Sequence, residues 1–289
     1  MTENFDCIEI NSKIALKTSG KTQRKRANLQ FMKIGLALSG GAARGMAHVG
    51  VLKVLLQHKI PIHAVAGTSA GAIVGASFAA GMTIDEIVQM TAKLRWSQFG
   101  RIAFSRFGIL STEPMRKYLQ QNLPVKDFSE MPLPFACVAT DLDTGDAVIM
   151  KERGDVATAV CASCSLPGIY VPIKMGGRYL VDGGIAEIVP TDTVRSLGAD
   201  FVIAVDVNAE GIKFWGAPQT ILGVFFQSVM LLMRTVAKHQ LNSADIIIRP
   251  KVGHLRWDQV GRSREFIEAG EAATLEVIDK IKTLIQIDK

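Results

Sequence analysis

A serine in a glycine-flanked turn is the strongest chemical signal in this chain of 289 residues. The segment 67–71, Gly-Thr-Ser-Ala-Gly, follows an apolar run at 60–66 and precedes a stretch rich in Ala, Val and Ile. This order is typical of a strand, a sharp turn and a helix, which is the setting of the GxSxG nucleophile elbow. The pattern therefore predicts that the turn presents Ser69 as a nucleophile.

A second glycine-rich turn, Ser-Gly-Gly-Ala-Ala-Arg-Gly at 39–45, follows a short apolar strand at 34–38 and precedes a helical pattern at 46–58. It lacks the Lys-Ser/Thr ending of a P-loop, and it also lacks the GxGxxG spacing and downstream carboxylate of a dinucleotide fold. Free backbone N–H groups at a helix N-terminus nevertheless suit an anion. Because this loop precedes the elbow by one strand–helix unit, we expect it beside Ser69, where it could hold an oxyanion.

The base that would activate Ser69 is less clear from the residues alone. Of the five histidines, only His254 occupies a late loop of the kind that supplies a triad histidine, so a Ser–Asp dyad is favoured. Two aspartates follow predicted strands: Asp182, on a Gly-Gly turn, and Asp206, near the end of an apolar run at 201–207. Chemistry in α/β proteins lies at such strand ends. Periodicity leaves the choice between these two aspartates open.

The composition fits a globular α/β protein, with 48% hydrophobic residues, 21% charged residues and 26 glycines for tight turns. Of the net charge of +6, most lies in residues 1–33, which hold seven basic and three acidic residues. We predict that 1–33 is a basic, flexible extension, which could contact anionic lipid head groups, and that 34–289 is the hydrolase domain. Because the folded part is almost balanced in charge, nucleic-acid binding is not expected.

No basic region followed by an apolar core opens the chain, and no apolar run reaches the ~20 residues of a membrane span. We therefore expect a cytoplasmic protein without signal peptide or transmembrane helix, with peripheral membrane contact as an alternative. Cys161-x-x-Cys164 lacks a second pair or a nearby histidine, and the acidic turn at 141–146 lacks the calcium-loop pattern. No metal site is predicted.

Three segments carry expectations about packing. The aromatic residues of 96–112 are expected to pack a loop onto the core, with a lipid-facing flap as the alternative. The apolar stretch 220–237 is interpreted first as a buried helix, then as a dimer face or an interfacial helix. Residues 263–287 are expected to form one amphipathic helix, with Leu275 and Leu284 on its packing side.

Four motifs occur in order along the chain: the loop from Gly40 to Gly45 with an arginine before its last glycine, the elbow at 67–71, Ala162-Ser163-x-x-x-Pro167, and Asp182-Gly183-Gly184. In this order they resemble the bacterial patatin-like phospholipase family, most strongly over about residues 34–195. The resemblance implies a three-layer α/β/α sandwich of the patatin and cytosolic phospholipase A2 type, with a mostly parallel central sheet.

The resemblance also implies roles for individual residues. Ser69 would be the nucleophile and Asp182 the general base. The family's loop usually has a glycine where Ala42 stands. The oxyanion hole would be formed by the glycine-rich loop, with the arginine orienting it: Gly40, Gly41, Ala42, Arg44 and Gly45. The turns would be supported by the other motif glycines: Gly67, Gly71, Gly183 and Gly184.

The implied reaction is hydrolysis of the ester bonds of phospholipids or other acyl esters through an acyl-enzyme, without metal or cofactor. Two alternatives remain open. One is a serine hydrolase of soluble acyl esters or thioesters, and the other is a weakly catalytic, lipid-sensing regulatory protein. A homo-oligomer is a further possibility that the sequence does not decide.

Overall fold

The computed structural model describes residues 32–93, 96–210 and 220–286. The predicted extension at 1–33 therefore lies outside the described residues except for its last two positions. The strands and helices, in chain order, are β1 (Ile34–Leu38), α1 (Ala47–Gln57), β2 (Ala64–Thr68), α2 (Ala70–Ala79), α3 (Ile84–Ala92), α4 (Trp96–Phe99), β3 (Arg101–Ile102), β4 (Leu110–Ser111), α5 (Glu113–Asn122), β5 (Phe135–Asp141), β6 (Ala147–Lys151), α6 (Val156–Ser163), β7 (Ile173–Met175), β8 (Arg178–Asp182), α7 (Gly184–Glu187), α8 (Thr191–Ser196), β9 (Phe201–Val205), α9 (Ile221–Gln240), β10 (Ile246–Ile248), α10 (Ser263–Leu275) and α11 (Ile278–Ile285).

The central sheet is joined by pairings in the order β10-β9-β1-β2-β5-β8-β7, with β6 also paired to β5. The pairings from β10 through β5 are parallel, whereas β6 and β8 run antiparallel to β5. Every residue of β1, β2, β5 and β9 is buried. Such continuous burial is characteristic of parallel strands covered by helices on both faces. The predicted α/β class with a mostly parallel sheet is confirmed.

Alternate side chains of the strands enter two separate apolar clusters, one on each face of the sheet. Leu36 and Leu38 of β1 belong to the cluster formed with α1, α2, α6 and α10. Ala37, between them, belongs to the other cluster, with Val194 of α8 and Met233 of α9. Because helices cover both faces, the described residues form three layers, as predicted.

The apolar helix α9 is not buried, so the first-ranked interpretation of this stretch is wrong. Met233 and Ala237 are buried against the sheet, but Ile221 is 92% exposed and Leu232 is 67% exposed. A 20-residue helix lying on one face of a sheet can bury only the side that touches it. The alternatives of a dimer face and an interfacial helix stay predictions.

The C-terminal segment is two helices, not the single helix expected. The chain turns at residues 276–277, between α10 and α11. This turn changes the rotational phase of the second helix, so one apolar stripe cannot run through both. Ile278 and Ile281 are buried as expected, whereas Leu275 and Leu284 are exposed.

The segment after α4 forms a separate antiparallel hairpin of β3 and β4. The expectation that its aromatic residues pack onto the core is wrong for Phe104 and Phe107, both of which are exposed, whereas Phe99 is partly buried. No helix within the described ranges combines the length and the hydropathy that a bilayer crossing needs.

Candidate active site

Ser69 lies between the end of β2 and the first residue of α2, with φ 53° and ψ −120°. This conformation is rare for a residue with a side chain and costs on the order of 1–3 kcal/mol. A hydrogen bond offsets part of that cost, because the Ser69 amide donates to Ser163 Oγ at 2.8 Å. The strand–turn–helix setting expected around Ser69 is present in the structure.

The two motif glycines of this turn are required by close backbone contacts. A Cβ on Gly67 would lie 2.4 Å from the carbonyl oxygen of Gly71, and a Cβ on Gly71 would lie 2.2 Å from that of Leu38. Both distances are shorter than a carbon can approach an oxygen without displacement of the backbone. The elbow therefore needs glycine at both positions for steric reasons.

The ends of β2 and β8 meet because both strands share one edge of β5. Since β6 pairs with residues 136–140 of β5 along one edge, β2 at 135–138 and β8 at 139–141 must occupy the other. β2 runs parallel to β5 and β8 runs antiparallel, so their carboxyl ends point at each other. Thr68 is level with Val138, and Asp182 is level with Ala139. Ser69 and Asp182 are thereby brought together.

The carboxylate of Asp182 is buried, with 1% exposure, and its Oδ1 accepts a hydrogen bond from the Gly184 amide at 2.8 Å. Burial raises the pKa of Asp182 to about 7, against opposing contributions from the Gly184 amide and the Ser69 side chain. Oδ2 makes no hydrogen bond of normal geometry within the described residues. Catalytic hydrogen bonds are often long in a protein without substrate, so this geometry is consistent with a base facing a hydroxyl.

The C-terminal end of α6 connects the two residues. Ser163 Oγ holds the Ser69 amide, and the carbonyl of Ser165 accepts the Asp182 amide at 2.8 Å. Thr140 Oγ1 in turn donates to the Asp182 carbonyl at 2.9 Å. The sequence marked Ser163 as a motif position but gave it no role, because a hydroxyl that receives a distant amide leaves no periodic signal.

The glycine-rich loop lies directly beside Ser69, since a Cβ on Gly40 would lie 3.3 Å from Ser69 Cβ. The Gly40 amide is already engaged with the Ile188 carbonyl at 3.0 Å. In contrast, no acceptor within the described residues takes the amides of Gly41 or Ala42. Ala42 has φ 49°, a left-handed conformation that glycine adopts more easily. These two amides are the candidates for binding an oxyanion.

Buried polar side chains hold this loop in place. Arg44, fully buried, donates to the Leu255 carbonyl at 3.0 Å. Asn208 Nδ2 donates to the Gly40 carbonyl at 2.8 Å, and His48 Nε2 lies 2.8 Å from the Ser39 carbonyl. Burial lowers the pKa of His48 to about 4, so this histidine is neutral near pH 7 and donates. The roles of Asn208 and His48 were not predicted from the sequence. Both side chains bind backbone carbonyls, which no residue type marks, and the partner of Asn208 is 168 positions away.

Gly45 and Gly183 complete the contacts around the site. A Cβ on Gly45 would lie 2.4 Å from Ala70 Cβ, and one on Gly183 would lie 2.1 Å from the Val138 carbonyl oxygen. A Cβ on Gly184 would lie 2.8 Å from Ile188 Cδ1. The predicted motif glycines therefore permit the close packing of the loop, the elbow and the end of β8.

Ser69 lies in the wall of a cavity of about 220 Å³. This volume exceeds the ~150 Å³ of an apolar cavity that admits benzene. Most of the lining is aliphatic or aromatic, and it includes Met46, Ile73, Val74, Met115, Leu166 and Ile169. An apolar chain attached to a carbonyl group fits such a site, because the chain leaves water while the carbonyl remains at Ser69.

Other residues considered from the sequence lie elsewhere. His254 and His239 are exposed, His63 accepts the Ile34 amide, and His58 contacts Lys282. Asp206 is buried at the end of β9, where its Oδ1 accepts the Asn208 amide. In the described part of the chain, no group of three or more His, Cys, Asp or Glu side chains could hold a metal ion.

Comparison with known proteins gives relatives that match part of this chain. An uncharacterized NTE family protein of Mycobacterium tuberculosis is 35% identical over 179 residues, which cover 61% of this chain and 49% of the relative. A patatin-like phospholipase domain-containing protein of Caenorhabditis elegans is 36% identical over 187 residues, which cover 61% of this chain and 14% of the relative. The chain thus spans about half the length, or less, of these relatives.

In fold, the chain is similar to the crystal structure of VipD from Legionella pneumophila, with a TM-score of 0.52 and 16% identity, covering 86% of this chain and 67% of VipD. The family model for Patatin-like phospholipase matches residues 36–195, more than half of the chain and the region that carries Ser69 and Asp182. The chain therefore belongs to the patatin-like phospholipase family.

Proposed function

We propose that this protein is a serine hydrolase that cleaves acyl ester bonds of phospholipids or related lipids, with Ser69 as nucleophile and Asp182 as general base. The observation that carries the proposal is that Ser69, which lies in the wall of an apolar cavity, faces the buried carboxylate of Asp182. A pure lipid-binding pocket has no physical need for this pair. The apolar lining favours an acyl chain over a small polar ester.

In the proposed reaction, Ser69 Oγ attacks the ester carbonyl and its proton passes to Asp182. The amides of Gly41 and Ala42 donate to the oxyanion that develops, and the positive end of the α2 dipole lies next to it. Collapse breaks the bond to the alcohol, which leaves with the proton from Asp182. A water molecule then loses a proton to Asp182 and attacks the acyl-enzyme. The bond to Ser69 Oγ breaks, Asp182 returns the proton to Ser69 Oγ, and the fatty acid leaves.

Labelling by a fluorophosphonate probe, together with hydrolysis of a medium-chain p-nitrophenyl ester, tests this proposal. We expect labelling and turnover by the wild type, no labelling of Ser69→Ala, and strongly reduced turnover by Ser69→Ala and Asp182→Asn. Ser129→Ala removes an exposed serine and serves as the matched control, with wild-type behaviour expected.

The outcomes separate the alternatives. Labelling of Ser69→Ala as strong as that of the wild type would remove Ser69 as the nucleophile. A wild-type protein that neither labels nor hydrolyses would favour a lipid-sensing role. Phospholipid vesicles and water-soluble esters, compared with the same protein, distinguish a lipid hydrolase from an esterase of soluble substrates.

A further inference from the structure

The hairpin of residues 101–111 exposes large apolar side chains beside the cavity. Ile102 is 76% exposed and Phe104 is fully exposed, and Phe107 and Ile109 are also exposed. Contiguous apolar side chains on a soluble surface mark a contact with a membrane or a protein. This hairpin is not an irregular loop, because Arg101 pairs with Ser111 and Ile102 with Leu110.

Positive charge accompanies these apolar side chains. No acidic residue occurs at 87–112, whereas Arg101 and Arg106 of the hairpin are exposed and form no salt bridge within the described residues. The Arg106 guanidinium lies 5.0 Å from the centre of the Phe107 ring. Aromatic rings next to basic groups are typical of surfaces that bind at the interface of an anionic bilayer.

A neighbouring strand extends the surface. The ring of Phe107 stacks on Tyr179 of β8 with centroids 6.2 Å apart, and Lys174 Nζ lies 5.7 Å from the centre of the Tyr179 ring. Arg178 is next to Tyr179, and its Nε lies 3.6 Å from Asp141 Oδ2, so its positive charge is compensated by that carboxylate. Arg101, Arg106 and Lys174 form no salt bridge within the described residues, so their positive charges are uncompensated there.

Backbone hydrogen bonds attach the hairpin to the cavity wall. The amides of Ile109 and Leu110 both donate to the Ile169 carbonyl, and the Val171 amide donates to the Leu110 carbonyl at 2.9 Å. Leu110, Ile169 and Tyr170 line the cavity that contains Ser69. The apolar surface of the hairpin is thus continuous with the wall of the cavity.

We propose that the hairpin 101–111 docks this protein on the surface of an anionic phospholipid membrane, with Ile102 and Phe104 entering the interface and Arg101 and Arg106 contacting lipid head groups. The docking itself does not depend on the proposed lipid hydrolase activity. Only its benefit does, since docking would place the cavity next to the lipid substrate. The exposed side of α9 serves as a contrast, because this helix covers the opposite face of the sheet from the cavity.

Co-sedimentation of the full chain with vesicles of phosphatidylcholine, alone or mixed with phosphatidylglycerol, tests the docking surface. We expect the wild type to bind the mixed vesicles more tightly. The double variant Ile102→Ser/Phe104→Ser should lose about tenfold or more in partitioning, because both apolar side chains leave water on docking. Leu231→Ser/Leu232→Ser on α9 is the matched control and should bind like the wild type.

A second pair of substitutions separates charge from apolar contact. Arg101→Gln/Arg106→Gln should weaken binding to the mixed vesicles by roughly fivefold per arginine and leave binding to phosphatidylcholine unchanged. Added salt should reduce the difference between the wild type and this variant. All hairpin variants should hydrolyse a water-soluble p-nitrophenyl ester at the wild-type rate, because none of the substituted side chains lines the cavity.

Several outcomes would overturn docking by the hairpin: vesicle binding unchanged in both hairpin variants, an equal loss in the α9 control, or no binding by the wild type. A wild-type dimer that the hairpin substitutions convert to a monomer would make this surface a contact between two copies instead. Hairpin-dependent binding without hydrolysis of any ester would retain the docking surface and reject the proposed activity.

Discussion

Asp182 and Asp206 end strands on the same sheet in nearly the same local geometry, yet their surroundings differ. Each carboxylate is buried and accepts the amide two residues later, from Gly184 at 2.8 Å and from Asn208 at 2.9 Å. Burial raises the pKa of both. Equivalent turns at strand ends therefore do not identify a catalytic residue by themselves.

The difference lies in what faces each carboxylate. Asp182 faces the Ser69 side chain, which opposes the rise in its pKa, and no cation contributes to the shift. Arg249 and Arg234 oppose the rise in the pKa of Asp206. The turn of Asp206 supports the glycine-rich loop through Asn208. The proposed base therefore faces a hydroxyl without a compensating cation, whereas the charge of Asp206 is partly neutralised.

Substitution of each aspartate by asparagine gives the largest expected contrast. Asp182→Asn should lower kcat/KM by about 10²–10⁴-fold, because asparagine can accept the Gly184 amide but cannot take the Ser69 proton. Asp206→Asn should lower it by about tenfold or less, through the position of the loop. Ester hydrolysis measures both, and circular dichroism checks folding. Equal losses would remove the distinction between the two residues.

The pH dependence of the wild type sharpens the comparison. Since the base must be ionised, kcat/KM should rise with pH and reach half its maximum near the pKa of Asp182, about 7. At two pH units below this value the rate should be about a hundredfold lower. Asp206→Asn should keep the same midpoint. A midpoint that moves in Asp206→Asn, or a flat profile through the acid range, would contradict the assignment of Asp182.

Ser163 tests whether the end of α6 positions the nucleophile. Ser163→Ala removes the acceptor of the Ser69 amide, which we expect to lower kcat by about tenfold with KM little changed. Ser165→Ala is the matched control. It also removes a buried hydroxyl from the end of α6, but that hydroxyl donates to the Cys161 carbonyl. Similar kinetic losses in both variants at equal stability would argue against a role specific to Ser69.

The smallest expected effect is on stability. The pKa of Asp182 rises from 3.8 to about 7 on folding. Between these values the folded protein binds more protons than the unfolded chain, so the contribution of Asp182 to stability falls as pH rises. The free energy of unfolding of Asp182→Asn should therefore exceed that of the wild type by about 1–3 kcal/mol at pH 8. This difference should disappear near pH 4.

Chemical denaturation at the two pH values measures this gain. Asp206→Asn should gain less than Asp182→Asn at pH 8, since the ionised Asp206 interacts favourably with Arg249 and Arg234. A larger gain for Asp206→Asn would show that Asp206 carries the less compensated charge, contrary to the comparison.

Much of the fold could be predicted because its signals are local. The buried runs at β1, β2, β5 and β9 and the glycine turns after β1 and β2 set the strand–turn–helix units in order. The exposure of the hairpin 101–111 and of one side of α9 could not be predicted. The sequence shows that a residue is apolar, but it does not show whether a neighbouring element covers that residue. The division between α10 and α11 at residues 276–277 could not be predicted either, because no glycine or proline marks it.

By itself, the sequence determined the family, the motif glycines and the elbow around Ser69, since all of them belong to motifs that occur in a fixed order along the chain. Only the tertiary structure brought together Asp182, Ser163 and the amides of Gly41 and Ala42. The physical reason is the pairing of β2 and β8 along one edge of β5, which juxtaposes residues more than 110 positions apart. The side-chain alternation within one strand shows which residues are buried, but it does not show which other strand will end beside it.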